Sequence, residues 1–321
     1  MRVPDEIRKT VVFVGLPEIP DPEYRGTAFI VTVPGTQDNH FAFMVTARHV
    51  AEKLEGQEFY IRANKKSGGT VELRGMADNQ WWYHPTEREF VDCAVTMFAP
   101  ASLRELDIEH VPMRVFADAD MLKKYNVGIG DEVFITGLFT KITETSQNIP
   151  IVRTGNVAMM LGERIPFHNG MYDAHLIESR SIGGLSGSPV FVRPTVSIQV
   201  GKDGDKPIFL HGVGQAMFFG SVIGHWEVPT GFTSSQAEAV NMGIAPVVPA
   251  IKIREVILQP AILDIMKKVN EKMRAENRKG ATLDLAPSKK AEQPTVFTRE
   301  DFEAALKKAS RKKNLAGEDG K

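Results

Sequence analysis

"IGGLSGSPVFV", Ile182 to Val192, sets one serine among glycines and runs straight into a β-type stretch. Gly183, Gly184 and Gly187 free the backbone to turn tightly and to approach a ligand closely. Pro189 suits the first residue of a strand. An ordinary strand-connecting turn uses the same residues. Whether Ser186 is a turn residue or a nucleophile is therefore decided elsewhere in the chain.

The chain has 321 residues, enough for a large core in one or two domains. With 42% hydrophobic and 25% charged residues it has the composition of a soluble globular protein. A net charge of −1 gives no bulk attraction for nucleic acid, and none is expected as a partner. The single cysteine, Cys93, excludes an intrachain disulfide framework and fits a reducing compartment. Cysteine-rich zinc sites are excluded with it, and no HExxH pair occurs, so neither metal nor cofactor is expected. The apolar run Thr10 to Leu16 is short, follows mixed charges and reads as a first strand, not a leader. No stretch approaches the ~18 apolar residues of a membrane span. The expectation is a cytoplasmic protein without membrane contact, its oligomeric state open.

Along the first 260 residues, short β-type runs alternate with turn signals: "TVVFVGL", "GTAFIVTV", "HFAFMVTA", "EFYIRA", "FVDCAVTMF", "DEVFITGLF" and "NMGIAPVV" among them. Short strands at this spacing predict an all-β barrel or sandwich. Strands do not alternate with long helices, which argues against a parallel α/β sheet. "AEKLEG" after His49 predicts one helical turn. The stretch 101–126 reads as a crossing between two β units, 1–100 and 127–258. From 259 to 321 the character changes: Ile262, Ile265, Met266, Val269 and Met273 recur at helical spacing. A Lys-, Ala-, Pro- and Ser-rich linker follows, then a helix capped by Thr298 with Phe302, Leu306 and Ala309 on one stripe.

Two further stretches change the meaning of the first. "FMVTARHVAEKL" places His49 at the end of a strand, and "EFVDCAVTMF" places Asp92 inside an alternating one. A serine hydroxyl is a poor nucleophile at neutral pH. It needs a base within hydrogen-bond reach, and the base needs a third group to hold its tautomer. Imidazole suits the base because it titrates near neutrality. A carboxylate suits the third role, accepting the other ring N–H and stabilising the imidazolium that forms. The developing oxyanion needs donors already in place, and the N–H groups of Gly184 and Ser186 in a glycine turn would supply them.

"TARHV", "DCAVTMF" and "GGLSGSP" together resemble the three catalytic blocks of the chymotrypsin-like (trypsin-like) serine peptidases, most closely the disulfide-free bacterial members. The order His, Asp, Ser is that family's, with 43 residues from His49 to Asp92 and 94 from Asp92 to Ser186. "GTAFIV", "VGIGDEVFITGLF", "LHGVGQA" (as the substrate-edge strand) and "MGIAPVVP" resemble its supporting strands, over about residues 10 to 255. The resemblance implies two antiparallel six-stranded β-barrels with the site between them and a helical and linker tail behind. It implies a serine endopeptidase acting on protein or peptide substrates: Ser186 the nucleophile, His49 the general base, Asp92 its orienter, Gly184 and Ser186 the oxyanion hole. By the same layout Arg180 and Gln215 fall in the substrate-binding region. Where vertebrate digestive members have an Asp before the serine, this chain has Leu185, so activation through a freed N-terminus is not expected. Phe218 to Val240 reads as an insertion.

Three other readings stand beside this one. Gly184-Leu185-Ser186-Gly187-Ser188 fails the G-x-S-x-G pattern of α/β-hydrolases at its last place, and the alternating helices of that fold are missing. A catalytically idle peptidase fold that binds peptides or protein partners would keep the same architecture. A third reading gives the function to the basic tail. Asp173 and His175 have the spacing of metal ligands on a strand but lack an evident third. Trp81 and Trp82 read as packing, and Cys93 as a small core residue.

Overall fold

A computed structural model describes residues 3–17, 23–35, 39–100, 102–137, 146–168, 170–179, 184–203, 206–230 and 238–280. Met1–Lys272 make one compact unit, and Met273 onward belong to a second. Arg180 and the proposed Thr298 helix lie outside the described residues.

A short helix α1 (Asp5–Arg8) leads into an eight-stranded sheet. Its strands are β1 (Val11–Leu16), β2 (Glu23–Pro34), β3 (His40–Thr46), β4 (Phe59–Asn64), β5 (Thr70–Gly75), β6 (Trp82–Tyr83), β7 (Ala94–Met97) and β8 (Val111–Pro112), with helix α2 (Arg48–Leu54) between β3 and β4. They pair in the order β5-β4-β1-β2-β3-β7-β6, with β8 against β2. After α3 (Ala119–Lys124) come β9 (Glu132–Gly137), β10 (Ile151–Met159), β11 (Ile165–Phe167), β12 (Gly170–Tyr172), β13 (His175–Glu178), β14 (Pro189–Arg193), β15 (Thr195–Asp203), β16 (Lys206–Val213), β17 (Met217–Val222), β18 (Glu227–Thr230), β19 (Glu238–Asn241) and β20 (Ile244–Pro249). Six of these close a barrel, β10-β13-β20-β17-β14-β9, while β11–β12, β15–β16 and β18–β19 are separate hairpins. Helices α4 (Ala250–Ile257) and α5 (Pro260–Gly280) follow. Among the described residues no helix is long and apolar enough to cross a membrane.

The fold is thus mainly β, as the turn-punctuated sequence predicts. Only one closed barrel is present among the described pairings. The N-terminal sheet ends in β5 and in β6, a strand of two residues, and these do not pair with each other. Pairing by strand periodicity also explains why "GTAFIVTV" is apolar almost throughout. Successive side chains of a strand point to opposite faces, and both faces of β2 are covered. Ala28 and Ile30 face inward with Met44 and Leu54. Phe29, Val31 and Val33 face the other way, into a cluster shared with the barrel. At its centre Phe218 of β17 packs on Phe29 and Phe116, ring centroids 5.2 and 4.6 Å apart. A third cluster, including Ile135, Val190, Phe219 and Val247, fills the barrel.

Three local expectations change. The helix expected after His49 begins before it, at Arg48, and runs seven residues instead of one turn, so His49 stands in a helix and not at a strand end. Asp92 sits in the loop before β7, not inside a strand, because the strand begins only at Ala94. Phe218 to Val222 are not part of an insertion: they are fully buried barrel strand. The added structure is the β15–β16 hairpin before them and the β18–β19 hairpin after them.

Candidate active site

His49 is the second residue of α2, whose first N–H groups have no partner within the helix. Asp92 supplies one: its Oδ1 accepts the His49 backbone N–H at 3.0 Å. Its Oδ2 lies 2.7 Å from His49 Nδ1. One carboxylate, 2% exposed, therefore fixes both the backbone and the ring of His49, while the histidine side chain remains 39% exposed. With Nδ1–H given to Asp92, the other ring nitrogen is left as acceptor. The Arg48 guanidinium sits beside the pair, Nε 3.8 Å from Asp92 Oδ1, and one of its terminal nitrogens donates to the Arg88 carbonyl.

The serine turn is seated against the strands that lead into this pair. Gly187 has φ +82°, and a Cβ there would lie 2.2 Å from the Thr27 carbonyl and 2.5 Å from Thr46 Oγ1. Only glycine lets the turn press against β2 and the end of β3, two residues before α2 begins. Thr27 holds it from the other side. The Thr27 N–H donates to the Ser186 carbonyl at 3.1 Å, and its hydroxyl to the Gly184 carbonyl at 3.0 Å. Gly184 also has positive φ, +92°. Among the described residues no backbone carbonyl accepts the N–H of Gly184 or of Ser186. The Ser186 hydroxyl donates to the Ile223 carbonyl at 3.0 Å. The Gly187 N–H donates to the Val222 carbonyl, and Val222 N–H to the Ser188 carbonyl.

His49 and Asp92 are thus joined directly, and the turn carrying Ser186 is seated against the elements that lead into His49. Gln215 is not brought to this turn. It is exposed in the loop between β16 and β17, and the segment bonded to the turn is Val222–Ile223. The hairpin β15–β16 causes the difference: it lengthens the path from Ser186 to the adjoining barrel strand, so the family-like "LHGVGQA" falls in the hairpin and its exit. Asp173 and His175 do not form a metal pair. Asp173 meets Arg164 at 3.2 Å. His175 Nδ1 accepts the Leu161 N–H at 2.9 Å, and its ring stacks on Phe219. Burial pulls His175 down to about 4, so it is held neutral. Trp81 is buried against Phe59, and Cys93 is fully buried, its thiol pushed up by that burial.

A second polar cluster has no counterpart in the sequence reading. Glu87, in the loop that leads to Asp92, accepts from Arg164 and from Lys252, each at 2.5 Å. The Lys252 ammonium holds the Glu87 carboxyl below its ordinary value. His84 Nε2 lies 2.8 Å from Glu255. His84, Glu87 and Glu255 bring three ligand atoms within 4.8 Å of one another, yet they fit a metal poorly. His84 Nδ1 accepts the Glu87 N–H, which leaves the proton on Nε2, the nitrogen a metal would need. Lys252 also already faces both carboxylates. The sequence signal was only the charge-dense "HPTEREF" and a lysine and glutamate three apart on α4, common features of a solvated surface.

No family model and no curated protein matches the sequence. Among solved structures, the chain is similar to the MamO protease domain from Magnetospirillum magneticum in its apo form. Identity is 16%, covering 79% of this chain and 98% of that one, with a TM-score of 0.47. It is also similar to a serine-to-alanine mutant of Rv3671c from M. tuberculosis H37Rv in an inactive form. There identity is 14%, covering 78% and 87% of the two chains, with a TM-score of 0.39. At this level of similarity neither structure decides the reaction.

Proposed function

We propose that the chain is a chymotrypsin-like serine endopeptidase that hydrolyses peptide bonds through an acyl-enzyme on Ser186. The observation that carries this is the buried Asp92 carboxylate 2.7 Å from His49 Nδ1. It is the device that leaves the second ring nitrogen free to take a proton. In the proposed reaction the Ser186 hydroxyl leaves the Ile223 carbonyl and turns to His49 Nε2. The imidazole takes its proton as Oγ attacks the scissile carbonyl, and returns it to the leaving amine. Asp92 stabilises the imidazolium meanwhile. The N–H groups of Gly184 and Ser186 receive the oxyanion. The eight-stranded sheet takes the place of the second barrel, with 101–126 as the crossing. Peptide or protein substrates would lie beside the serine turn, meeting the Ile223 carbonyl that the Ser186 hydroxyl vacates.

A fluorophosphonate probe tests the reading. Wild type should be labelled and Ser186→Ala should not, and a peptide library should be cleaved only by the wild type. A second reading, an idle peptidase fold that binds peptides, draws on the Ser186 hydroxyl resting on Ile223 and not on His49. Peptide binding without labelling or cleavage by the wild type would decide for it.

A further inference from the structure

We propose that Lys252 is a positioning residue for Asp92, and that helix α4 thereby sets the geometry of the His49–Asp92 pair from outside the site; the functional meaning rests on the peptidase reading above. Asp92 is held to α2 at one end, but its loop, residues 84–91, must be fixed from the other side for the carboxylate to stay in place. Three observations show what fixes it. Glu87 is bound by Lys252 and Arg164. The Glu87 carbonyl accepts the N–H groups of Phe90 and Val91, so anchoring this residue anchors the turn that ends at Asp92. Phe90 is held twice more: its carbonyl accepts the Asp173 N–H at 2.9 Å, and the Arg164 guanidinium lies 3.6 Å over its ring.

Lys252 is the centre of this arrangement. Its ammonium, on a side chain 17% exposed, lies 2.5 Å from Glu87, 3.5 Å from Asp173 and 3.5 Å from Glu255. Three carboxylates gather round one ammonium. Without it Glu87 and Glu255 face each other across α4 with no ammonium between them, and their repulsion loosens the loop from α4. Lys252 touches no reacting group. Its effect on chemistry would run through Asp92 and appear in turnover, not in substrate binding.

The test uses the full chain with Lys252→Met, which keeps the stem and removes the charge, and Lys252→Arg. Lys252→Met should lower kcat about tenfold, as a small misplacement of a catalytic group does, with KM within about twofold. Lys252→Arg should restore most of the turnover. The proton NMR signal of His49 Nδ1–H should move or broaden in Lys252→Met and return in Lys252→Arg. A Lys252→Met protein that matches wild type in turnover and in this signal overturns the proposal, even if it melts at a lower temperature. If Lys252→Met does not fold, Glu87→Gln weakens the same contact from the other side and should give the same signature. If wild type neither acylates nor cleaves, the peptidase reading fails, and the His49 signal alone still decides whether Lys252 positions the pair.

Discussion

The two halves of the site are built in different ways. In the N-terminal half, on α2 and the loop before β7, His49 and Asp92 are fixed by side-chain bonds: one carboxylate grips both the ring and the backbone of the histidine. On the barrel, the serine turn is held chiefly by its backbone. Glycines at positive φ and carbonyls that accept from Thr27 seat it, with the Gly187 N–H bonded to Val222. The proposed base is therefore set by charge, the proposed nucleophile by shape. Substitutions should respond accordingly, the first half through turnover and the second through both turnover and stability.

The largest effect should show that the halves act as one unit. Ser186→Ala should lower kcat by ~10⁴-fold or more while costing no more than about 1 kcal/mol of stability, since it removes one hydrogen-bonded hydroxyl and no core volume. Asp92→Asn should cost about as much, and the double variant should be no slower than Ser186→Ala alone. Additive losses in steady-state kinetics would mean that the serine and the His–Asp pair do not share a reaction.

Gly187→Ala should separate shape from charge. Its methyl would meet the Thr27 carbonyl, and its φ disfavours any side chain. We expect about 2–4 kcal/mol of lost stability from the positive φ and the overpacking together, with activity lost as the turn lifts. Chemical denaturation beside a turnover assay measures both. Wild-type behaviour would show that the turn is not pressed against β2.

Acid should weaken the barrel half through His175. Its folded-state value lies at about 4, below the ordinary 6.5, because burial disfavours the charged form. The unfolded chain therefore takes a proton first. The stabilising contribution is complete above about pH 6.5, shrinks as the pH falls, and is lost by about pH 4, roughly 3 kcal/mol in all. Denaturation midpoints across this range should fall in the wild type and stay flatter in His175→Gln. Equal slopes would remove His175 as the cause.

The smallest effect should come from Thr27→Val, which deletes the hydroxyl bond to the Gly184 carbonyl but keeps the backbone bond to Ser186. About 1 kcal/mol of stability should go, with a few-fold loss of turnover. A loss as large as that of Gly187→Ala would place the weight of docking on this one hydroxyl.

By itself, the sequence determined the mainly β architecture, the helix that follows Pro260, and the residue types of the candidate site. Short apolar runs, glycine turns and helical spacing are local signals, legible in windows of ten residues. Tertiary structure alone decided the rest. Whether the N-terminal strands close a barrel depends on the pairing of β5 with β6, strands whose local patterns are silent about each other. That Val222–Ile223 and not Gln215 adjoins Ser186 follows from a hairpin whose apolar residues imitate a barrel strand in sequence. That Lys252 reaches Glu87, 165 residues earlier, follows from α4 packing into the core shared by sheet and barrel. Such contacts arise when distant segments bury apolar faces against one another and carry their charges along, and no local window records which distant face that will be.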